Sequence, residues 1–167
     1  SDFTKFVCIR GGNVIGTNGS VIPLFKKQIL ENNLITVTDP HMTRYLMSTK
    51  QAIQLIFQAI QKYTGGEVFV LNMPGTTVDI VAKSMIELFG NSKTKIKIIG
   101  TRQGEKKHEV LISKNEAPYT EDTNDAYYTI HPVFKPHTIK KPFGMEEFSS
   151  QNTDQLSQKE LVALLKK

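Results

Sequence analysis

The sequence predicts an α/β fold with a largely parallel sheet, and three observations carry that expectation. Short β-rich runs alternate along the chain with stretches of helical apolar spacing about a dozen residues long. The helical stretches open on Ser or Thr, and two of them stop at glycine, so the alternation is punctuated where helices begin and end. Hydrophobic residues make up 39% of the 167 residues. That is enough for a core, yet too dispersed for the ~20-residue apolar run that spans a membrane.

"TKFVCIR" (residues 4–10) is β-rich, ends at two glycines and reads as a buried strand. "SVIPLFKKQILEN" (20–32) has Val21, Leu24, Phe25, Ile29 and Leu30 at helical spacing, with Ser20 as cap and Pro23 in the first turn. "LITVTD" (34–39) is a strand running into "DPHMTRY", read as a turn. The next helix is well marked. Ser48 caps it, Gln51 closes a capping box, Met47 and Ala52 stand at the staple positions, and Gly65–Gly66 ends it. Ala52, Ile53, Leu55, Ile56, Ala59 and Ile60 are its expected buried stripe.

"EVFVLN" (67–72) is a strand, and "PGT" turns the chain. A helix then starts at Thr76 or Thr77, runs through Val81, Met85, Ile86 and Phe89, and stops at Gly90. "KIKIIG" (95–100) is a strand, and "GEKKHEVLI" reads as one or two helical turns. From Asn115 the chain becomes acidic and turn-rich, and residues 132–142 hold three of the seven prolines. This part reads as a loop or arm rather than a core element. In "LSQKELVALLKK", Ser157 caps a last helix, Glu160 closes its capping box, and Leu156 and Leu161 form its staple.

The net charge is +5. This mild excess suits an anionic ligand such as a nucleotide diphosphate without demanding nucleic acid. Lysines occur in scattered pairs, and no long basic run interleaves with aromatics, so nucleic acid is the lesser reading. The single cysteine, Cys8, excludes an internal disulfide framework and suits a reducing compartment. It reads as a small buried strand residue rather than a nucleophile. Residues 1–30 carry no charged start followed by an apolar stretch, so no signal peptide is expected.

Three stretches could carry chemistry. In "RGGNVIGTNGSVIPLF" (10–25), Gly11 and Gly16 have the phosphate-loop spacing, but Thr17 stands where lysine is needed, and G-x-G-x-x-G is absent. "GTNG" (16–19) fits the G-x-x-G of a KH-type RNA loop; a plain strand-to-helix turn is the other reading. "GTRQGEKKHE" (100–109) leaves the carboxyl end of a strand, where α/β proteins bind ligands. There Arg102 could grip a phosphate and Glu105 could accept ribose hydroxyls; a solvated surface ion pair fits the spacing as well. "DPHMTRYLMS" (39–48) offers Arg44 as a second cation, or as a plain turn residue. His108–Glu109 is not H-E-x-x-H, because Ile112 takes the second histidine place. The other histidines are far apart in sequence, and no metal site is expected.

Taken in order, "FVCIRGGNVIGTNGSVIPLFKKQI", "ITVTDPHMTRYLMSTKQAI", "GGEVFVLNMP", "IKIIGTRQGEKKHEVLI" and "SSQNTDQLSQKELVALL" resemble the C-terminal part of the polysaccharide-biosynthesis sugar-nucleotide enzymes. These are extended short-chain dehydrogenases/reductases, the UDP-N-acetylglucosamine 4,6-dehydratase and CapD-like 4-epimerase group. The resemblance spans nearly the whole chain. It implies an α/β substrate-binding region with a residual Rossmann strand over 1–115, a loop or arm over 116–148 and a helical segment over 149–167, with the N-terminal nucleotide-binding half missing. The family uses an NAD(P) loop and a Tyr-x-x-x-Lys pair. Here Tyr45, Tyr63, Tyr119, Tyr127 and Tyr128 are followed four places on by Thr49, Glu67, Thr123, His131 and Pro132. The resemblance therefore implies no catalytic or cofactor-binding residue in this chain, NAD or NADP only in the full-length family, and an inactive fragment.

By the same resemblance, Asn13 lies near sugar and diphosphate, Val21 and its neighbours line the uracil, and Arg44 belongs to a Met-Thr-Arg motif. Arg102 and Glu105 match an Arg-x-Gly-Glu pair on diphosphate and ribose. Gly11 departs from the pattern, standing where the family has tyrosine beside the nicotinamide. The expected ligand is a UDP-sugar, the location cytoplasmic, and the assembly a homo-oligomer through the exposed first strand. The competing expectation is a small basic nucleic-acid- or protein-binding module.

Overall fold

The computed structural model describes residues 3–123, 126–135 and 137–166. β1 (Cys8–Arg10) and β2 (Asn13–Val14) precede α1 (Val21–Asn32). Then come β3 (Leu34–Val37), β4 (Thr43–Met47), α2 (Thr49–Lys62), β5 (Val68–Leu71), β6 (Gly75–Thr77), α3 (Val78–Phe89) and β7 (Lys95–Ile98). β8 (Val110–Ile112), a 3₁₀ turn (Ala117–Tyr119), β9 (Thr120–Asp122), β10 (Tyr127–Ile130), β11 (Phe148–Ser149) and α4 (Gln158–Leu165) complete the chain. The fold is α/β, as the alternation of strands and helices requires.

The helix signals act physically where they were read. Ser48 Oγ accepts from Gln51 N while the Gln51 side chain accepts from Ser48 N, a closed capping box. Ser157 and Glu160 repeat the arrangement on α4. Thr77, rather than Thr76, caps α3 through Ile80 N. Ser20 occupies the N-cap position of α1, but its side chain makes no capping bond.

The sheets differ from the parallel arrangement that the alternation suggests. They are β1-β5-β10-β9, β2-β4-β6, β3-β7 and β11-β8. β1/β5, β2/β4 and β3/β7 run parallel; the pairs made by β6, β8, β9, β10 and β11 are antiparallel. β9 and β10 are joined by a short return, whereas β10 reaches β5 and β11 reaches β8 from distant parts of the chain.

Four local expectations are corrected. "DPHMTRY" is a turn only to Met42, because "TRYLM" is a strand held between β2 and β6. "PGT" enters β6 rather than ending in the turn. "GEKKHEVLI" forms no helix; its end is β8, paired with β11. The stretch after Asn115 is not peripheral. β10 pairs with β5 and all four of its residues are buried, and Phe143 and Phe148 join the same core. Aromatic burial holds this segment down: Tyr128 meets Phe143 and Phe148 edge-on, with centroids 4.9 and 5.3 Å away.

The buried side chains among the described residues form two apolar clusters. One gathers Tyr45, Phe69, Val70, Ile112, Tyr127 and Phe148 around β4, β5 and β10. The other gathers Phe25, Ile29, Ile35, Leu46, Met85 and Leu161 between α1, β3, α3 and α4. β1 is an edge strand, narrower than residues 4–10 and hydrogen-bonded to β5 alone, and Cys8 is exposed rather than buried. Of the stripe expected to be buried on α2, only Leu55 and Ala59 are; Ile53, Ile56 and Ile60 face outward. No helix among the described residues is long and apolar enough to cross a membrane.

Candidate functional site

A cleft of about 300 Å³ opens over the second cluster, and Asn13, Val21, Arg44, Arg102 and Glu105 all line it. They arrive from five places: β2, the first turn of α1, β4, and two positions of the segment after β7. The floor is apolar, from Phe25, Val37, Leu46 and Val81. Gly16 and Gly19 take φ of 82° and 76°, so the chain can reverse between β2 and α1 and set the helix start on the rim. The G-x-x-G loop is thus a strand-to-helix turn.

Arg44 is half-buried and tied down. Its guanidinium donates to the carbonyls of Thr43, Lys107 and Lys106 at 2.7, 3.2 and 2.9 Å. It also lies 3.6 Å from the Glu109 carboxylate and 4.0 Å from that of Glu105. Glu105 accepts from Thr38 Oγ1 at 3.1 Å and from Arg102 N at 3.2 Å. Arg102 and Glu105 form no side-chain ion pair among the described residues. The Arg102 guanidinium is exposed and, among those residues, has no charge or hydrogen-bond partner. Among the described residues that line the cleft, it is the uncommitted cation.

A buried chain of hydroxyls fixes the loop that carries these groups. Thr43 Oγ1 lies 2.8 Å from His108 Nδ1 and 2.6 Å from Ser150 Oγ, and Ser150 Oγ accepts from Glu109 N at 2.9 Å. The C-terminal segment therefore sets the position of residues 102–109 against β4. Ser20 Oγ, also on the cleft wall, is buried without a hydrogen-bond partner among the described residues. Thr38, Glu109 and Ser20 were missed in the sequence. Only contacts distant along the chain, or the failure of a cap, mark them out.

Other sequence candidates fall elsewhere. Tyr45 is fully buried against Phe148, with its hydroxyl unpartnered among the described residues, and burial pushes its phenol pKa up. This seals it from acid–base work. A side chain at Gly11 would meet Met47 Sδ at 2.8 Å, so a tyrosine there needs Met47 to turn away. The histidines are not all apart in space: His131 and His137 both approach Glu121.

Residues 1–131 match a family described as polysaccharide biosynthesis protein. The chain is 39% identical over 172 residues to a UDP-glucose 4-epimerase of Rickettsia bellii (strain OSU 85-389), covering 98% of this chain and 50% of that relative. It superposes on the X-ray structure of Pen from Bacillus thuringiensis with TM-score 0.84 at 36% identity, covering 96% of this chain and 48% of the other. A UDP-N-acetylglucosamine 4-epimerase from Methanobrevibacter ruminantium M1, in complex with UDP-N-acetylmuramic acid, shares the fold over 62% of this chain and 36% of its own, with TM-score 0.51 at 21% identity. The chain spans about half the length of the curated relatives it matches.

Proposed function

The chain belongs to the polysaccharide biosynthesis family of extended short-chain dehydrogenases/reductases, and we propose that it is the UDP-sugar-binding portion of an NAD(P)-dependent nucleotide-sugar 4-epimerase or 4,6-dehydratase. One observation carries this reading. The five residues that the family resemblance singles out, drawn from distant parts of the sequence, line one cleft.

In this reading the exposed Arg102 guanidinium clasps the diphosphate through paired N–H donors. Glu105 keeps acceptor capacity for the ribose hydroxyls beyond its bonds to Thr38 and Arg102 N. Val21 and the apolar floor take the uracil, and Asn13 stands toward the sugar. Arg44, already held by carbonyls and Glu109, stiffens the wall and adds positive charge. Ser20 Oγ and the start of α1 offer further donors to the anion. The nicotinamide supplies hydride chemistry in the full-length family. We assign its loop and the Tyr-x-x-x-Lys pair to the part of the relatives this chain does not span. The chain alone binds and orients without turnover. A cytoplasmic location belongs to the same proposal.

Calorimetric titration with UDP tests it. Binding is expected, and Arg102→Ala should weaken it about tenfold or more, as for loss of a charge-assisted bidentate contact. Retention of full affinity by Arg102→Ala would overturn the assignment. Tighter, salt-sensitive binding of single-stranded RNA, lost on replacing Gly16 and Gly19, would favour a nucleic-acid-binding module instead.

A further inference from the structure

A second cluster of chemistry-bearing side chains lies outside the cleft. Glu121 on β9, His131 just past β10 and His137 in the proline-rich segment bring one ligand atom each to within 4.8 Å of one another. His131 Nε2 is 3.0 Å and His137 Nε2 3.5 Å from the same carboxylate oxygen of Glu121. The two imidazoles stack, with centroids 3.3 Å apart and planes 18° from parallel. None of the three residues lines the cleft.

A hydrogen-bonded staple would need only one histidine on the carboxylate. Here two imidazoles share one carboxylate oxygen. Glu121 and, farther off, Glu67 both place negative charge toward His131. Two imidazole nitrogens and one carboxylate oxygen are the donor set of a three-ligand zinc-type centre, with a fourth position left for water.

We propose that Glu121, His131 and His137 bind a divalent transition-metal ion of the zinc type, which fastens the proline-rich segment to the edge of the four-stranded sheet. The backbone already holds the same junction. Asp122 N donates to Lys141 O at 2.9 Å, Phe143 N to Thr120 O at 3.1 Å, and Lys140 N to the other Glu121 oxygen at 3.2 Å. Parallel rings cannot both aim at one ion, so ligation turns them apart. The His137 side chain is 38% exposed and has room to turn, whereas that of His131 is 11% exposed and stays fixed. The role is structural. The ion closes the loop between β9 and the segment that leads to Phe143 and Phe148.

The test uses the untagged full chain, stripped with chelator and titrated with Zn²⁺, then with Co²⁺ as a spectroscopic probe. One equivalent is expected to bind with Kd of micromolar order, and Co²⁺ should give the intense visible bands of a four-coordinate site. His137→Ala, exposed and therefore safe for folding, should weaken Zn²⁺ at least about tenfold; Glu121→Gln should do the same. His41→Ala, at an exposed position remote from the cluster, should leave binding unchanged. Zn²⁺ should also raise the Tm of the wild type and not of His137→Ala, while Mg²⁺ should do neither. Absence of saturable one-equivalent binding at about 100 µM Zn²⁺, or binding that survives both His137→Ala and Glu121→Gln, would overturn the proposal.

Discussion

Arg10 and Glu116 are 106 positions apart and meet in a two-point pair, with Nη1–Oε2 and Nη2–Oε1 both at 3.0 Å. Ser113 adds its N–H and hydroxyl to the same carboxylate. The Arg10 bonds, then those from Ser113, hold the Glu116 pKa down to about 2 against burial, from an ordinary 4.5. A carboxyl depressed in the folded state stabilises it above the unfolded pKa and loses that contribution as pH falls through the folded one. Glu116→Gln should therefore lower stability near neutrality by about 1 kcal/mol, a figure discounted for the partial exposure of both side chains. The Tm gap between wild type and variant should be full above pH 4.5 and close as pH falls towards 2. Melts across that range check it; a gap that persists at the acid end would remove Glu116 from the account. The pair was invisible in the sequence because nothing local announces a partner a hundred residues away. Arg102 and Glu105 were legible because the family motif keeps them within one turn. Thr38 and Glu109, which brace that turn from other segments, were not.

At the level of elements, legibility follows whether the stabilising contact is local. Capping boxes are local, and both that were read in the sequence close. Ser20 stood in an equally good place for a cap, yet its hydroxyl makes no capping bond. Ser48→Ala should therefore cost about 1 kcal/mol in denaturant unfolding. Ser20→Ala should leave stability almost unchanged while remaining on the wall of the cleft. Equal losses at the two sites would mean that Ser20 caps α1 in solution. Strands misread as turns or loops fail for the opposite reason. "TRYLM" and "YYTI" carry β-favouring residues, but each is brief and has a His-Pro or Asp-Pro-His stretch close by. Both are specified by strands arriving from elsewhere: β4 by β2 and β6, β10 by β5 and β9. A pattern window shorter than a helix cannot hold that information.

The whole molecule shows which apolar faces find cover and which do not. The helical period on α2 marked a stripe of six residues for burial, yet only Leu55 and Ala59 are buried. Ile53, Ile56, Phe57 and Ile60 remain 42–59% exposed, as do Phe6, just before β1, at 78% and Ile9 within it at 44%. α2 packs next to β1, which is hydrogen-bonded to β5 on one side only. Periodicity says which face requires burial; it does not say what chain is present to bury it. An open strand edge next to an apolar helix stripe favours pairing with another copy. The chain should sediment as a monomer when dilute and shift towards a dimer as concentration rises. Phe6→Glu combined with Phe57→Glu should hold it monomeric, because each places a charge in the contact without removing a buried side chain. Sedimentation velocity over a concentration series reads both outcomes. A wild type that stays monomeric at the highest concentration would mean that edge and stripe are too poorly matched to pair with themselves, and that what covers them in the cell is another polypeptide surface.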